Sequence, residues 1–309
     1  MARAIASCGA GQRNANAKEA AMYVIAGVSG NTGSVVATTL LAAGKAIRVI
    51  VRDAAKGEPW RARGAEVAIA DIDDQAALTR ALTGATGAYL LLPPPGWAQT
   101  GIAADRKAKT QSLLGAVRAA KPGHVVLLSS VGADLPDGTG PIKYIHAVEQ
   151  GLRDAGVPAT FLRAASFMEN WGAMLQGAIA GGALYFGAAD GLRYGQVATE
   201  DIGKTVAQLL LEGPRGVRVV ELTGPTDLSL QDTAEILSKV AGKPIKGVSV
   251  PPAAMVQALI GQGASAELAD SFGEMVTGIN SGAITFHGTP IRGSITLEQR
   301  LRSLLAPAR

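Results

Sequence analysis

Cysteine occurs once in this chain, as Cys8, so no disulfide can form within it. Histidine occurs only at His124, His146 and His287, too far apart for a local metal-ligand motif, and no metal is expected. Aromatic residues make up 4% of the sequence, and lysine and arginine are scattered along it. Despite a formal charge of +4, the stacking platform and basic stripe of a nucleic-acid binder are therefore missing. Charges, glycines and prolines interrupt every apolar run before the roughly 18 to 20 residues needed to span a bilayer, so no membrane partner is expected. There is no G-x-S-x-G elbow to present a nucleophile, and no internal repeat or low-complexity linker. The cysteine usage fits a reducing, cytoplasmic setting.

What the chain has in quantity is apolar sequence, 48% of 309 residues, enough for one large α/β domain with a smaller appendage. Residues 1–21 differ from the rest. They are rich in Ala, Asn and Gly, carry Arg3, Arg13 and Lys18, and lack the continuous apolar core of a secretory signal. They are expected to form a disordered tail outside the fold. Met22 is a candidate alternative start, and a weak organelle-targeting segment is the other reading.

The first motif follows at once. Tyr23 to Ala26 is short, apolar and partly β-branched, as a buried parallel strand should be, and Ser34 to Ala43 is helix-compatible. Between them, Gly27, Gly30 and Gly33 punctuate the segment Gly27-Val-Ser-Gly-Asn-Thr-Gly33. Glycines here permit a tight turn, close approach of backbone to a pyrophosphate and close helix-to-sheet packing, while the helix start offers free N–H groups to an anion. Ser29, Asn31 and Thr32 share that turn. The G-x-x-G-x-x-G spacing differs in its first gap from the commonest dinucleotide fingerprint, so the strand and helix on either side carry much of the argument. A second apolar strand, Ala46 to Val51, ends at Arg52-Asp53, about twenty-five residues after the first glycine. An acidic residue at this tip holds the ribose 2′-hydroxyl of NAD, whereas arginine can pair with the 2′-phosphate of NADP. Arg52, with Lys56 nearby, favours NADP(H) over NAD(H), and Asp53 leaves the ribose alternative open.

Further strands are predicted at Glu66–Ala70, Gly87–Leu92, His124–Leu128 and Pro158–Leu162, with helices at Asp74–Leu82, Thr100–Ala120 and Ile145–Ala155. This alternation predicts a doubly wound parallel sheet, with ligands at the carboxyl ends of its strands. Asp71 and Ile72, Leu92 and Pro93, and Ser129 fall at such ends and are candidate cofactor contacts; Asp71 alternatively caps the next helix. Farther on, Asp201 is read as structural at a helix start, Ser229 and Asp232 as a weak capping box, Pro251–Ile284 as a helical lid or homodimer face, and Ser294–Leu305 as a final helix.

In this order the motifs resemble the NmrA-like group of atypical short-chain dehydrogenases/reductases. The resemblance runs through Val51-Arg-Asp53, Leu128-Ser-Ser-Val-Gly-Ala133, Thr160-Phe-Leu-Arg163, Phe167-Met-Glu-Asn170, Val197-Ala-Thr-Glu-Asp-Ile-Gly203, Leu222-Thr-Gly-Pro225 and Gly242-Lys-Pro-Ile245. It implies an NAD(P)-binding Rossmann domain over residues 22–170. Residues 171–309 would form a smaller substrate or lid region, partly interleaved with that domain. Members include NAD(P)H-dependent quinone and azo-dye reductases and non-catalytic NADP(H)-sensing regulators, so both functions are expected alternatives.

Catalysis is where the chain departs from the wider group. Its Tyr-x-x-x-Lys pair, in which lysine lowers the tyrosine pKa for proton transfer, is missing: Val148 stands four residues after Tyr144. Many NmrA-like chains carry a lysine four positions before the helix glutamate, here Glu149, and this one has Ile145. Tyr144 and His146 remain candidate proton donors. A quinone or azo bond can accept hydride with its proton taken from water or a loosely placed donor, and no flavin is then required. Such flat, apolar acceptors call for apolar and aromatic walls, for which Pro94, Trp97, Phe167, Met168 and Trp171 are the candidates, while Ser130 at the end of the fifth strand either orients the substrate or only finishes the turn.

Overall fold

A computed structural model describes residues 21–306. The expected tail over residues 1–21, with Cys8, falls outside them except for Ala21. The amino-terminal half alternates strand and helix: β1 (Met22–Ile25), α1 (Asn31–Ala42), β2 (Ala46–Val51), α2 (Ala54–Arg61), β3 (Glu66–Ile69), α3 (Gln75–Leu82), β4 (Gly87–Leu90), α4 (Ile102–Ala120), β5 (Val125–Ser130), α5 (Ile142–Arg153) and β6 (Ala159–Ala164). Next come β7 (Ser166–Phe167), a 3₁₀ stretch over Met168–Met174, α6 (Leu175–Gly181), β8 (Ala183–Phe186), β9 (Gln196–Val197), α7 (Thr199–Glu212) and β10 (Val217–Thr223). The chain closes with α8 (Leu230–Ala241), β11 (Lys246–Ser249), α9 (Pro252–Gly261), α10 (Ala266–Asn280), β12 (Ile291–Arg292) and α11 (Leu297–Leu305).

Eight strands form one sheet in the order β12-β10-β6-β5-β4-β1-β2-β3, and all of its pairings are parallel. This is the expected Rossmann-type α/β sheet. The order reverses at β1, so a crevice opens between the carboxyl ends of β1 and β4, where ligands bind in open α/β sheets. Every residue of β4 and β6 is buried, as expected for strands covered on both faces. One face packs α1 and α7 through Val36, Leu40, Val206 and Leu210. The other packs α3, α4 and α5 through Leu82, Val117 and Leu152. A third core gathers α6, α8, α11 and the 3₁₀ stretch around Leu175, Leu237 and Leu301. Two strands of the main sheet, β10 and β12, come from beyond residue 171, so the smaller region is threaded through the sheet.

Several local expectations are refined. Helix α2 has no counterpart in the sequence reading. Asp53 caps it by accepting from the Ala55 N–H at 2.9 Å. The expected helical stretch from Pro251 to Ile284 is broken into α9 and α10 at Gly263, whose φ of 88° ends the first helix, and Ser265 caps the second. The Ser229–Asp232 capping box is complete, with both reciprocal hydrogen bonds formed. Asp201, 6% exposed, accepts from the Ser294 and Ile295 N–H groups at 3.0 and 2.9 Å and so ties α7 to the segment leading into α11.

Candidate functional site

The glycine turn joins β1 to α1 at the switch point. Gly27 adopts φ +69°, and its carbonyl accepts from the Gly30 N–H at 2.9 Å. A Cβ on Gly33 would lie 2.4 Å from the Gly27 oxygen and 2.6 Å from the Ala26 oxygen, both rigid backbone. The absent side chain is what lets α1 start this close to β1. No side chain caps α1, so its first-turn N–H groups face the crevice beside the exposed Ser29, Gly30 and Asn31. Thr32 is buried, and its hydroxyl lies 2.8 Å from that of Tyr89 on β4, which closes the floor between the two strands. Burial pushes the Tyr89 phenol well above its ordinary pKa, so it stays neutral.

At the tip of β2, Asp53 is committed to capping α2, while the Arg52 and Lys56 side chains are exposed. The Asp53 carboxylate at this tip is thus held by the fold, and Arg52 and Lys56 are left exposed beside it. Asp71 and Ile72 follow β3 and are half-buried; the Asp71 carboxylate accepts from the Asp73 N–H at 3.2 Å in a turn ahead of α3, whose cap is not Asp71 but Asp74, accepting from the Ala77 N–H at 2.9 Å.

Beyond β4, β5 and β6 the crevice widens into a cavity of about 760 Å³. Of the expected residues, Asn31, Thr32, Leu92, Pro93 and Pro94 line it, as do Ser129, Ser130, Tyr144 and Phe167. Its far wall is a stripe on α10, formed by Leu268, Phe272, Met275 and Ile279, with Ile284 and Phe286 after it. None of these last residues is singled out by the sequence, although all but Phe286 fall in the Pro251–Ile284 stretch expected as a lid or homodimer face, and the four on α10 recur at helical spacing and mark one face. Tyr194, in the loop before β9, also lines the cavity and carries no local signal. Burial pushes its phenol up, so the hydroxyl stays neutral.

Other expected residues lie elsewhere. Trp97 is exposed, and its indole N–H donates to the Gln262 carbonyl at 3.1 Å, tying the β4–α4 loop to the end of α9. Met168 and Trp171 sit in the third core because the 3₁₀ stretch turns them away from the crevice toward α8 and α11. Trp171 donates to Gln196 Oε1 at 2.8 Å and meets Phe186 edge-on at 5.3 Å. The His146 Nδ1 is 2.9 Å from the Ala133 carbonyl oxygen, and the ring is not among the cavity residues. Tyr144 separates the large cavity from a small one of about 200 Å³ between α4 and α5. Helix α5 does include Lys143, whose ammonium sits 5.9 Å from the Tyr144 ring centroid and pairs with Glu274 of α10 at 3.1 Å.

The floor of the cavity rests on a buried ion pair. Glu149, fully buried, accepts from the Ser129 hydroxyl at 2.5 Å and from Arg163 Nε and Nη2 at 3.0 and 2.8 Å. Ser129 therefore spends its hydroxyl on the scaffold. Arg163 continues to Asp134 at 3.3 Å, and Asp134 to His287 at 2.9 Å, reaching the 284–288 segment of the cavity wall. Burial works against ionisation of Asp134, but the His287 and Arg163 contacts hold its carboxyl below the ordinary range. Ser130 turns its hydroxyl to the Val131 carbonyl at 3.0 Å.

An all-parallel sheet with a glycine turn at its switch point, an uncapped helix start and a cavity beyond it defines a Rossmann-type protein. The chain belongs to the NmrA-like family, whose model matches residues 20–282. It is 28% identical over 255 residues to an NAD(P)H azoreductase of Xenophilus azovorans, covering 82% of this chain and 86% of the relative. It is also 28% identical over 269 residues to quinone oxidoreductase 2 of Escherichia coli, covering 85% and 90% respectively. A solved Escherichia coli NADPH-dependent quinone oxidoreductase in complex with NADPH superimposes with a TM-score of 0.78 at 26% identity, covering 92% of this chain and 100% of that one. Among the described residues, no helix is long and apolar enough to cross a membrane.

Proposed function

We propose that this protein is an NAD(P)H-dependent oxidoreductase that passes hydride, without a flavin, to a quinone-like or azo acceptor, and that it prefers NADP(H). The observation that carries this reading is the continuity of the glycine turn with a large, mostly apolar cavity at the carboxyl ends of β1, β4 and β5. A dinucleotide bound along this crevice would set its pyrophosphate against the N–H groups of Ser29 to Thr32 and its 2′-phosphate near Arg52 and Lys56. Asp71 and Ile72 would border the adenine. Leu92, Pro93 and the Ser129 backbone would border the nicotinamide half. Bound NAD(P)H supplies a hydride, which with one proton carries a quinone to its hydroquinone.

The chain's own residues do the rest. Pro94 and Phe167, with the α10 stripe, exclude water and hold a flat acceptor. Ser130 offers a polar edge. Tyr144 is the cavity hydroxyl nearest in sequence to the missing lysine pair, and it is the residue we assign to hydrogen-bond the acceptor and deliver a proton. His146, turned toward Ala133, could serve only through water or a change of rotamer. The single cysteine supports a cytoplasmic enzyme.

Purified, flavin-free protein should consume NADPH in the presence of a panel of quinones and azo dyes, with reduced product formed. Firm NADPH binding with no product from any acceptor would refute the reductase reading and favour the NADP(H)-sensing regulator, which the missing Tyr-x-x-x-Lys pair keeps as the second reading.

A further inference from the structure

We infer that the acceptor end of the cavity is selective for charge, taking neutral, lipophilic acceptors and rejecting those that carry a sulfonate or carboxylate. The inference rests on the reductase reading above and adds the chemical class of the acceptor. Among the described residues, three charged side chains line the cavity, namely Arg106, Arg193 and Asp227. Each is already matched within the protein. Arg106, 3% exposed, donates to the Asp105 carboxylate at 2.8 Å and to the Pro93 carbonyl. Arg193 donates to Asp232 at 2.9 Å and to the Asp227 carbonyl at 3.2 Å. The Asp227 carboxylate lies 3.0 Å from Arg292.

The matching leaves no unpaired cation among these lining residues, and Arg193, whose side chain is 56% exposed, keeps its charge in water. The same cavity is lined by Leu268, Phe272, Met275, Ile279, Ile284 and Phe286, whose side chains cannot solvate a charge. A sulfonate pressed against them would lose its water and gain no charged partner, and an ion unpaired in an apolar site costs far more than a neutral polar group. A quinone oxygen or an azo nitrogen asks only for a hydrogen bond. The hydroxyls of Tyr144 and Tyr194 on the cavity wall can donate one.

The pair 1-phenylazo-2-naphthol and its para-sulfonated analogue share one ring system and differ by one charge. Equilibrium dialysis with excess NADP⁺ should show the neutral dye binding at least about a hundredfold more tightly than the sulfonate. Met275→Lys sets an ammonium on the apolar wall and should narrow that ratio by about tenfold; Ile279→Lys makes the same test should the first variant fail to fold. Near-equal binding of the two dyes by the unaltered protein, or a ratio that a folded lysine variant leaves unchanged, overturns the inference. NADPH oxidation by the neutral dye is followed in parallel. Binding without oxidation would refute the reductase reading while leaving the charge selectivity intact, so the two failures are distinct.

Discussion

Glu149→Gln tests whether the buried ion pair beneath the cavity holds the site together. Glutamine keeps the shape of the side chain and an oxygen to accept from Ser129, so no void opens, but the charge facing Arg163 is lost. Removing one partner of a buried pair costs about 3–5 kcal/mol, because the other charge is left uncompensated. Asp134, 3.3 Å from Arg163 Nη1, still offers partial neutralisation, so the low end, about 3 kcal/mol, is expected. At about 2–4 °C per kcal/mol for a domain of this size, the melting temperature should drop by roughly 6–12 °C. Urea unfolding followed by circular dichroism gives the free energy directly. The double variant Glu149→Gln with Arg163→Met removes both charges and should be much less destabilised than the sum of the single changes. A single variant within about 0.5 kcal/mol of the parent protein, or strictly additive effects, would refute the account of the pair.

Other consequences follow from the same structure. Gly33→Ala forces a methyl group into the Gly27 and Ala26 carbonyls and should cost about 1–3 kcal/mol of stability while weakening NADPH binding; a variant that titrates like the parent would disprove the close-approach argument. Arg52→Ala should weaken NADPH more than NADH by about 1.5–3 kcal/mol in fluorescence titrations, and equal losses would remove Arg52 from the 2′-phosphate site. Tyr144→Phe should lower turnover with little change in cofactor affinity, and unchanged turnover would exclude it as the proton donor. His124, buried at the amino end of β5 with Nε2 3.0 Å from the Thr160 hydroxyl, has its pKa pushed down to about 4, first by burial and then by Arg218. The unfolded chain therefore binds the proton more readily than the fold, so His124 costs nothing above about pH 6.5 and removes stability progressively from there down to about pH 4. Between pH 7 and 5 this amounts to at most about 2 kcal/mol, and His124→Gln should flatten that part of the stability profile.

The parts of the site legible in sequence are those whose physics is local. A strand followed by glycines at Gly27 and Gly33 can be recognised without its partners, because the requirement is for missing side-chain atoms within one turn. Capping is local too, so Ser229 with Asp232 could be read from a four-residue window. Helix α2 escaped because Gly57 and Pro59 argue against a helix. It forms nonetheless, capped by Asp53, and lies so near β3 that a Cβ on Gly57 would fall 2.5 Å from Val67. Strand β10 escaped for another reason: its pairing with β6 joins Val217 to Ala159, and nothing in either segment names the other.

The sequence by itself determined the parallel α/β class, the glycine turn and the loss of the Tyr-x-x-x-Lys pair, since each depends on periodicity or spacing within a few turns of chain, and the order of its motifs along the chain carried the resemblance to the family. Which side chains line the cavity was decided by tertiary structure. Phe167, Met168 and Trp171 are near neighbours in sequence, yet the 3₁₀ stretch leaves the first on the cavity wall and sends the others into a separate core. Tyr194 and the α10 stripe reach the same cavity from distant parts of the chain, and whether the charges among them are free or matched depends on partners that only the folded chain supplies.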